Sequence, residues 1–273
     1  MPAVSLRRSV RLGFAPSDAS GADPQRLAER ETYHRDLLRP YGLDPDLGAL
    51  AGAGPSYGEM GRALLELAVP PHEPVDLLVL AYAVPDLEPG RATATYLSHL
   101  CPGRPTSFAV SDQGTAAAFT GLKLIGEYTR AGDARRAVLL VVEQATLPYD
   151  PGVPVTLPTG HTGVALVLEA VVAGADAADA DWQLGSVSAT PNAAQQPPAE
   201  EPGTVAILGA GLDAGLDGGL SADEQRPYTG VWWQLAGLLA PDGPAPQAER
   251  VLLADFEPDS KSLCLAEFRA LMP

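Results

Sequence analysis

The segment TAAAFTGLKLIGEYTRAG, Thr115 to Gly132, constrains the fold more than any other part of the chain. Between Gly114 and Gly126 it carries one charge, Lys123. A helix on the outside of a globular protein keeps a polar face for water, and this one has almost none, so it is expected to lie between two layers. The small residues Ala116, Ala117, Ala118 and Gly121 would let neighbouring sheets approach it closely. Before it come the strand-like TSFAV (Thr106 to Val110) and the corner SDQG, which put the helix N-terminus at a tight strand-to-helix turn.

Three further runs, VDLLVLA (Val75 to Ala81), AVLLVVE (Ala137 to Glu143) and GVALVLEA (Gly163 to Ala170), are continuously apolar, as strands covered on both faces are. With helical segments between them, they predict an α/β fold built on a mostly parallel, covered sheet. SYGEMGRALLEL reads as a helix with Met60, Leu64, Leu65 and Ala68 on one face, ended by PPHEP. After Ala170 the texture becomes acidic and rich in Ala and Pro, which reads as a hairpin tip and linker. Beyond it come the apolar patch VAILGAGL, a helix in YTGVWWQLAGLLA, and two strands, VLLADFE and SLCLAEFRAL, around the turn PDSK. The expected division is residues 1–171, a linker over 172–203, and a reduced second half over 204–273.

At 273 residues the chain can bury a core without staples. No apolar run approaches the roughly 20 residues needed to cross a bilayer. The first fifteen residues lack the apolar stretch of a secretory leader, so a cytoplasmic location is expected. Lys+Arg 18 against Asp+Glu 34 gives a net charge of −16, which repels phosphodiester backbones and anionic lipid and argues against nucleic-acid or membrane partners. It also weakens docking to an acidic carrier protein. Cys101 and Cys264 stand in apolar settings and read as buried structural thiols. His34, His72 and His99 lack metal-ligand spacing, so no metal is expected, nor any cofactor.

Taken in order, VDLLVLAYAVPD, SFAVSDQGTAAAF, GDARRAVLLVVEQAT and TGHTGVALVLEA resemble the thiolase superfamily, nearest to β-ketoacyl synthase III-like condensing enzymes. The resemblance covers about residues 55 to 170 and, more loosely, the last quarter. It implies a layered αβαβα fold of two similar halves, with the apolar helix after Gly114 as one of two central buried helices. Members of the family carry a cysteine nucleophile at the strand-to-helix corner, where the helix N-terminus favours the thiolate. That position is Gly114 here. Two more groups, a histidine and a second histidine or an asparagine from the C-terminal half, normally stabilise the enolate and oxyanion. This chain has no histidine after His161, and its one asparagine, Asn192, falls in the expected linker. In GHTGVA, His161 stands where the family tends to have an acidic residue.

The resemblance implies a subunit without condensing activity that pairs with an active homologue, or with a second copy, and shapes an acyl pocket in fatty-acid or polyketide-type secondary metabolism. The seam would run along Thr106 to Ser111, with Thr106, Phe108 and Val110 in it. Leu87, in the loop Val84 to Arg91, would approach the mate's pocket. Asp112, Gln113, Gly114, Thr115 and His161 are candidates for a retained ligand pocket, with acyl-coenzyme A or an acyl carrier protein as possible contacts. Asp112 and Thr115 equally suit helix capping, and the plainer reading of His161 is a turn histidine serving nearby backbone carbonyls. An alternative is an acyl-thioester enzyme, an acyltransferase, hydrolase or decarboxylase, that uses His161 with Asp112 or Thr115. A third is a small-molecule carrier.

Other motifs have plainer readings. LGAGLDAGLDGG has the wrong spacing for a dinucleotide loop. Glu200–Glu201 and Asp213 with Asp217 sit among Pro and Gly as solvated loops. Trp232–Trp233 belongs to a helix packed on a sheet. Arg7, Arg8, Arg11, Arg135 and Arg136 could touch an acidic partner or a coenzyme A phosphate, or be solvated faces.

Overall fold

The structure, a computed structural model, describes residues 3–16, 23–52, 54–88, 92–171, 182–199, 201–212, 219–240 and 248–271. Their strands form one sheet in the order β3-β2-β4-β5-β1-β6-β10-β9-β7-β8. These are β1 (Ala3–Phe14), β2 (Leu77–Ala81), β3 (Thr106–Val110), β4 (Arg136–Glu143), β5 (His161–Val171), β6 (Trp182–Pro191), β7 (Thr204–Leu208), β8 (Leu220–Ser221), β9 (Arg250–Glu257) and β10 (Ser262–Ala270). Read outward from the β1–β6 junction, both halves run first, fifth, fourth, second, third strand of their own series. The fold is α/β and thiolase-like, with two halves of one topology.

The helices are α1 (Pro24–Leu38), α2 (Leu47–Ala51), α3 (Tyr57–Ala68), α4 (Thr93–Leu100), α5 (Ala116–Ala131) and α6 (Gly230–Leu238). A capping box starts α3: the Ser56 hydroxyl accepts from the Glu59 amide while the Glu59 carboxylate accepts from the Ser56 amide. Its buried face holds Met60, Leu64, Leu65 and Ala68, as the periodicity predicts. On the other side of the sheet, α5 shares one core with strands of both halves and with α6. Phe119 of α5 meets Trp232 of α6 with ring centroids 4.9 Å apart, joining the two central helices. Gly132, at φ +88°, ends α5 in the left-handed conformation that lets its amide reach back to Thr129.

The structure departs from the sequence reading in four places. The sheet is mixed: only β2–β3, β2–β4, β7–β8 and β7–β9 are parallel. A continuous apolar run reports burial on both faces and does not say which way the neighbour runs. Lys123, Glu127 and Tyr128 form an exposed stripe on α5, so that helix is not enclosed all round. β6 lies inside the span read as hairpin and linker, and it is the counterpart of β1; residues 172–181 lie outside the described residues. β1 has arginines on a strand, each satisfied: Arg7 pairs with Glu169, Arg8 donates to the Ala68 carbonyl and Arg11 to the Trp233 carbonyl. The arginines of β1 thus bind it to its neighbours and are not simply solvated faces.

The second half is reduced on one side. α3 and α4 cover the outer face of the first half. Among the described residues no helix stands between β6 and β7 or between β7 and β8, where Leu208, Leu212, Ala254 and Phe256 form a small cluster.

Candidate functional site

The corner before α5 is built from backbone in unusual conformations. Asp112 has φ +59° and Gly114 φ +51°, which turns the chain from β3 into the helix within five residues. The side chains of Asp112 and Thr115 do not cap α5. Asp112 accepts from the Ser111 hydroxyl at 2.9 Å, and Gln113 accepts from the Thr120 hydroxyl at 2.7 Å. The cap comes from the other half. Oε2 of Glu257, the last residue of β9, accepts from the Thr115 amide at 2.6 Å. Oδ2 of Asp255 accepts from the Thr115 hydroxyl at 2.8 Å.

Strand alternation explains why both acids arrive together. Val251 and Leu253 face the central core, so Asp255 and Glu257, at the same parity, face it too and reach the exposed amides at the tip of α5. The helix N-terminus is where a carboxylate is favoured. Asp255 Oδ1 is further held by the amides of Phe256 (2.8 Å) and Gly211 (3.3 Å), and Glu257 Oε1 by that of Asp259 (3.1 Å). Burial nevertheless pushes Asp255 up to about 6, and it raises Glu257 as well. A Cβ at position 114 would overlap the Glu257 carboxylate, so the space beyond Gly114 is already filled.

The same device recurs in mirror image. Glu143, the last residue of β4, accepts from the amides of Tyr228 (3.0 Å) and Thr229 (3.1 Å) just before α6. Its other oxygen accepts from the hydroxyls of Thr229 and Thr162, both at 2.6 Å. Each half's fourth strand therefore ends in a glutamate that caps the other half's central helix. Tyr228 feels both glutamates; burial first, then Glu257 and Glu143, push its phenol up to about 12.

The remaining candidates are scattered. His161 shares parity on β5 with Ala165 and Val167, which face α3, whereas Val164, Leu166 and Leu168 face α5. It therefore points away from the α5 tip and is not brought together with Asp112 or Thr115. Its Nδ1 accepts from the Ala145 amide at 3.3 Å, a backbone-serving role, and burial lowers its pKa. Cys101 ends α4 and burial pushes it up to about 11. Cys264 lies opposite Asp255 in the β9–β10 ladder, and burial, then Asp255 and Glu257, push it up to about 12. Of the seam candidates, Thr106 is exposed and Phe108 half-buried against Tyr128, with ring centroids 6.2 Å apart. Val110 and Leu87 are buried within the chain: Val110 joins the central core and Leu87 is fully enclosed.

A cavity of about 460 Å³ opens beside β3, with Tyr82, Asp86, Thr93, Ser107, Phe108 and Asp112 in its wall. Asp86 is held there by the Tyr57 and Glu88 amides and the Thr93 hydroxyl. Among the described residues no group of three or more His, Cys, Asp or Glu is placed to hold a metal, and no helix is long and apolar enough to cross a membrane. Asp213, Asp217 and Glu200 lie outside the described residues. The sequence reading missed Glu143, Asp255 and Glu257. The available signal was that AVLLVVE and VLLADFE, two buried strands, both end in an acid.

No family model and no curated protein sequence matches the chain. Solved structures do, over nearly full length. The acyltransferase ChlB3 aligns with a TM-score of 0.65 at 15% identity, covering 100% of this chain and 99% of that one. AbyA1, a tetronic acid condensing enzyme, aligns at 0.58 and 18%, covering 97% and 99%. The 3-oxoacyl-(acyl carrier protein) synthase III, FabH, of Pseudomonas aeruginosa PAO1 aligns at 0.54 and 14%, covering 99% and 100%. At these identities the likeness establishes the fold, that of thiolase-like condensing enzymes.

Proposed function

We propose that this chain is a non-condensing, ketosynthase III-like subunit, kept for its frame and for pairing in fatty-acid or polyketide-type metabolism. The observation that carries this is the α5 tip. Where the resemblance puts a thiolate, residue 114 offers a hydrogen, and the Glu257 carboxylate occupies the space and takes the Thr115 amide. A helix N-terminus whose amide already holds an internal carboxylate is not open to an acyl oxyanion. The two thiols lie elsewhere and are held protonated, so neither supplies the missing nucleophile. Among the described residues β3 ends the strand order, and that edge suits a pairing role, with a homologue or a second copy as partner.

The test is intact-mass analysis after incubation with a panel of acyl- and malonyl-coenzyme A thioesters. No covalent mass increase is expected at any chain length. An acyl adduct that maps to any residue of the corner or to either cysteine would overturn the proposal.

A further inference from the structure

The cavity of about 460 Å³ is walled by the ends of β2 and β3, the loop Tyr82 to Asp86 and the start of α4, and it has the size of a small-molecule site. Its wall has two chemical characters. Leu80, Ala83 and Ala94 are apolar, and Tyr82 and Phe108 add two aromatic rings. Asp86 and Asp112 supply two carboxylates, and among the described residues no lysine, arginine or histidine lines the space.

Asp86 is a buried carboxylate without a cation: among the described residues it makes no ion pair. Its Oδ1 accepts from the amides of Tyr57 (3.1 Å) and Glu88 (3.3 Å), and its Oδ2 from the Thr93 hydroxyl (2.9 Å). A carboxylate offers about four acceptor sites, so Oδ2 keeps one more. Burial raises the Asp86 carboxyl above the ordinary aspartate range in spite of those three bonds. The nearest arginines, Arg26 and Arg30, are already paired with Glu88. Asp112 is exposed, with its Oδ2 accepting from the Ser111 hydroxyl at 2.9 Å, and it too makes no ion pair among the described residues. The phenol of Tyr82 is raised first by burial and then by both Asp86 and Asp112, so the two acids bear on one space.

Carboxylates beside aromatic rings, in a cavity with no basic group, complement an ammonium ion, which pairs with the one and lies against the other. The same wall repels carboxylate and phosphate ligands, and the net charge of −16 acts in the same sense. A divalent metal needs more oxygen ligands than two aspartates give, and among the described residues no group of three or more His, Cys, Asp or Glu is placed to hold one. We infer that this cavity binds a small organic cation, with its ammonium group on Asp86 and Asp112 and its apolar body against Tyr82 and Phe108. The inference goes beyond the non-condensing reading, which concerns the α5 tip, and does not rest on it.

The experiment is titration calorimetry and thermal unfolding of the full chain with 2-phenylethylammonium chloride, 2-phenylethanol, phenylacetate and magnesium chloride. The amine is expected to bind and to raise the melting temperature. The alcohol, which lacks the charge, is expected to bind weaker by about tenfold or more, and phenylacetate and magnesium not to bind. Asp86→Asn keeps an oxygen for the two backbone amides and is expected to weaken the amine by about tenfold or more. Asp112→Asn, which tolerates positive φ, is expected to weaken it about two- to fivefold, as an exposed charge does. Ala109→Phe puts a ring into the cavity from an exposed strand position, leaves both carboxylates in place and is expected to abolish binding, which keeps the test decisive if the Asp86 variant does not fold. An amine that does not bind, an alcohol or phenylacetate that binds equally well, magnesium that binds in its place, or an affinity unchanged by Ala109→Phe or by both aspartate changes would each overturn the site. None of these outcomes bears on acylation, so this inference and the non-condensing reading stand or fall separately.

Discussion

The amide of Thr115 donates to the carboxylate of Glu257 at 2.6 Å, across 142 residues of chain. That bond ties the N-terminus of a central helix in one half to the end of a strand in the other. Its mirror, Glu143 with Tyr228 and Thr229, ties the halves in the opposite sense. The tip of α5 is thus an anion site filled from within.

The first expectation concerns Gly114 and Glu257. Gly114→Ala introduces a Cβ that meets Glu257 at a positive φ and is expected to destabilise the fold by about 2–3 kcal/mol. In a Glu257→Ala background the overlap is gone, and the same change is expected to cost about 1 kcal/mol, the conformational part alone. Urea denaturation of the four proteins in a double-mutant cycle measures the difference. Additive losses would show that the two sites do not touch in solution.

Asp255 yields a pH dependence. Its folded pKa, near 6, lies above the ordinary aspartate value of 3.8, so its contribution is fully present below about 4 and is lost as the pH rises through 6. Relative to Asp255→Asn, which does not titrate, the wild type is expected to lose about 2–3 kcal/mol of stability between pH 4 and pH 7. Parallel stability curves for the two proteins over that range would contradict the assignment.

Glu143 separates the requirement for an acceptor from the requirement for a charge. Glu143→Ala leaves the buried Thr229 amide and the part-buried Tyr228 amide without that acceptor and is expected to cost about 2–4 kcal/mol. In Glu143→Gln the amide oxygen can take the two backbone donors, while the hydroxyls of Thr162 and Thr229 rotate to accept from the new NH₂ group. No more than half the alanine loss is expected. Equal losses in thermal or urea unfolding would mean that the charge itself is needed.

The thiols offer a direct chemical check. With Cys101 near 11 and Cys264 near 12, fewer than about one thiol in a thousand is ionised at pH 7.5, and both are buried. Iodoacetamide is expected to leave the native chain unmodified and to label both cysteines once denaturant is added, as read by mass. Rapid labelling of either thiol in the native state would reopen the question of a nucleophile.

Much of the fold is legible in the residues because hydrophobic periodicity is a local property. TSFAV is β3 residue for residue, and the apolar runs ending at Ala81, Glu143 and Ala170 fall on β2, β4 and β5. β1 and β6 escaped notice. The arginines of one and the polar tail of the other read as surface until partners such as Glu169 are in place.

What the residue order determines by itself is where strands and helices run and that a glycine stands at position 114, since identity and short-range pattern suffice for both. What tertiary structure alone decides is what fills the space beyond that glycine. Glu257 comes to Gly114 only when the second half closes onto the first, and no local pattern reports which buried acid will meet which helix end. The same holds for His161, grouped with the corner residues as a pocket candidate, which strand alternation turns toward the opposite face of the sheet.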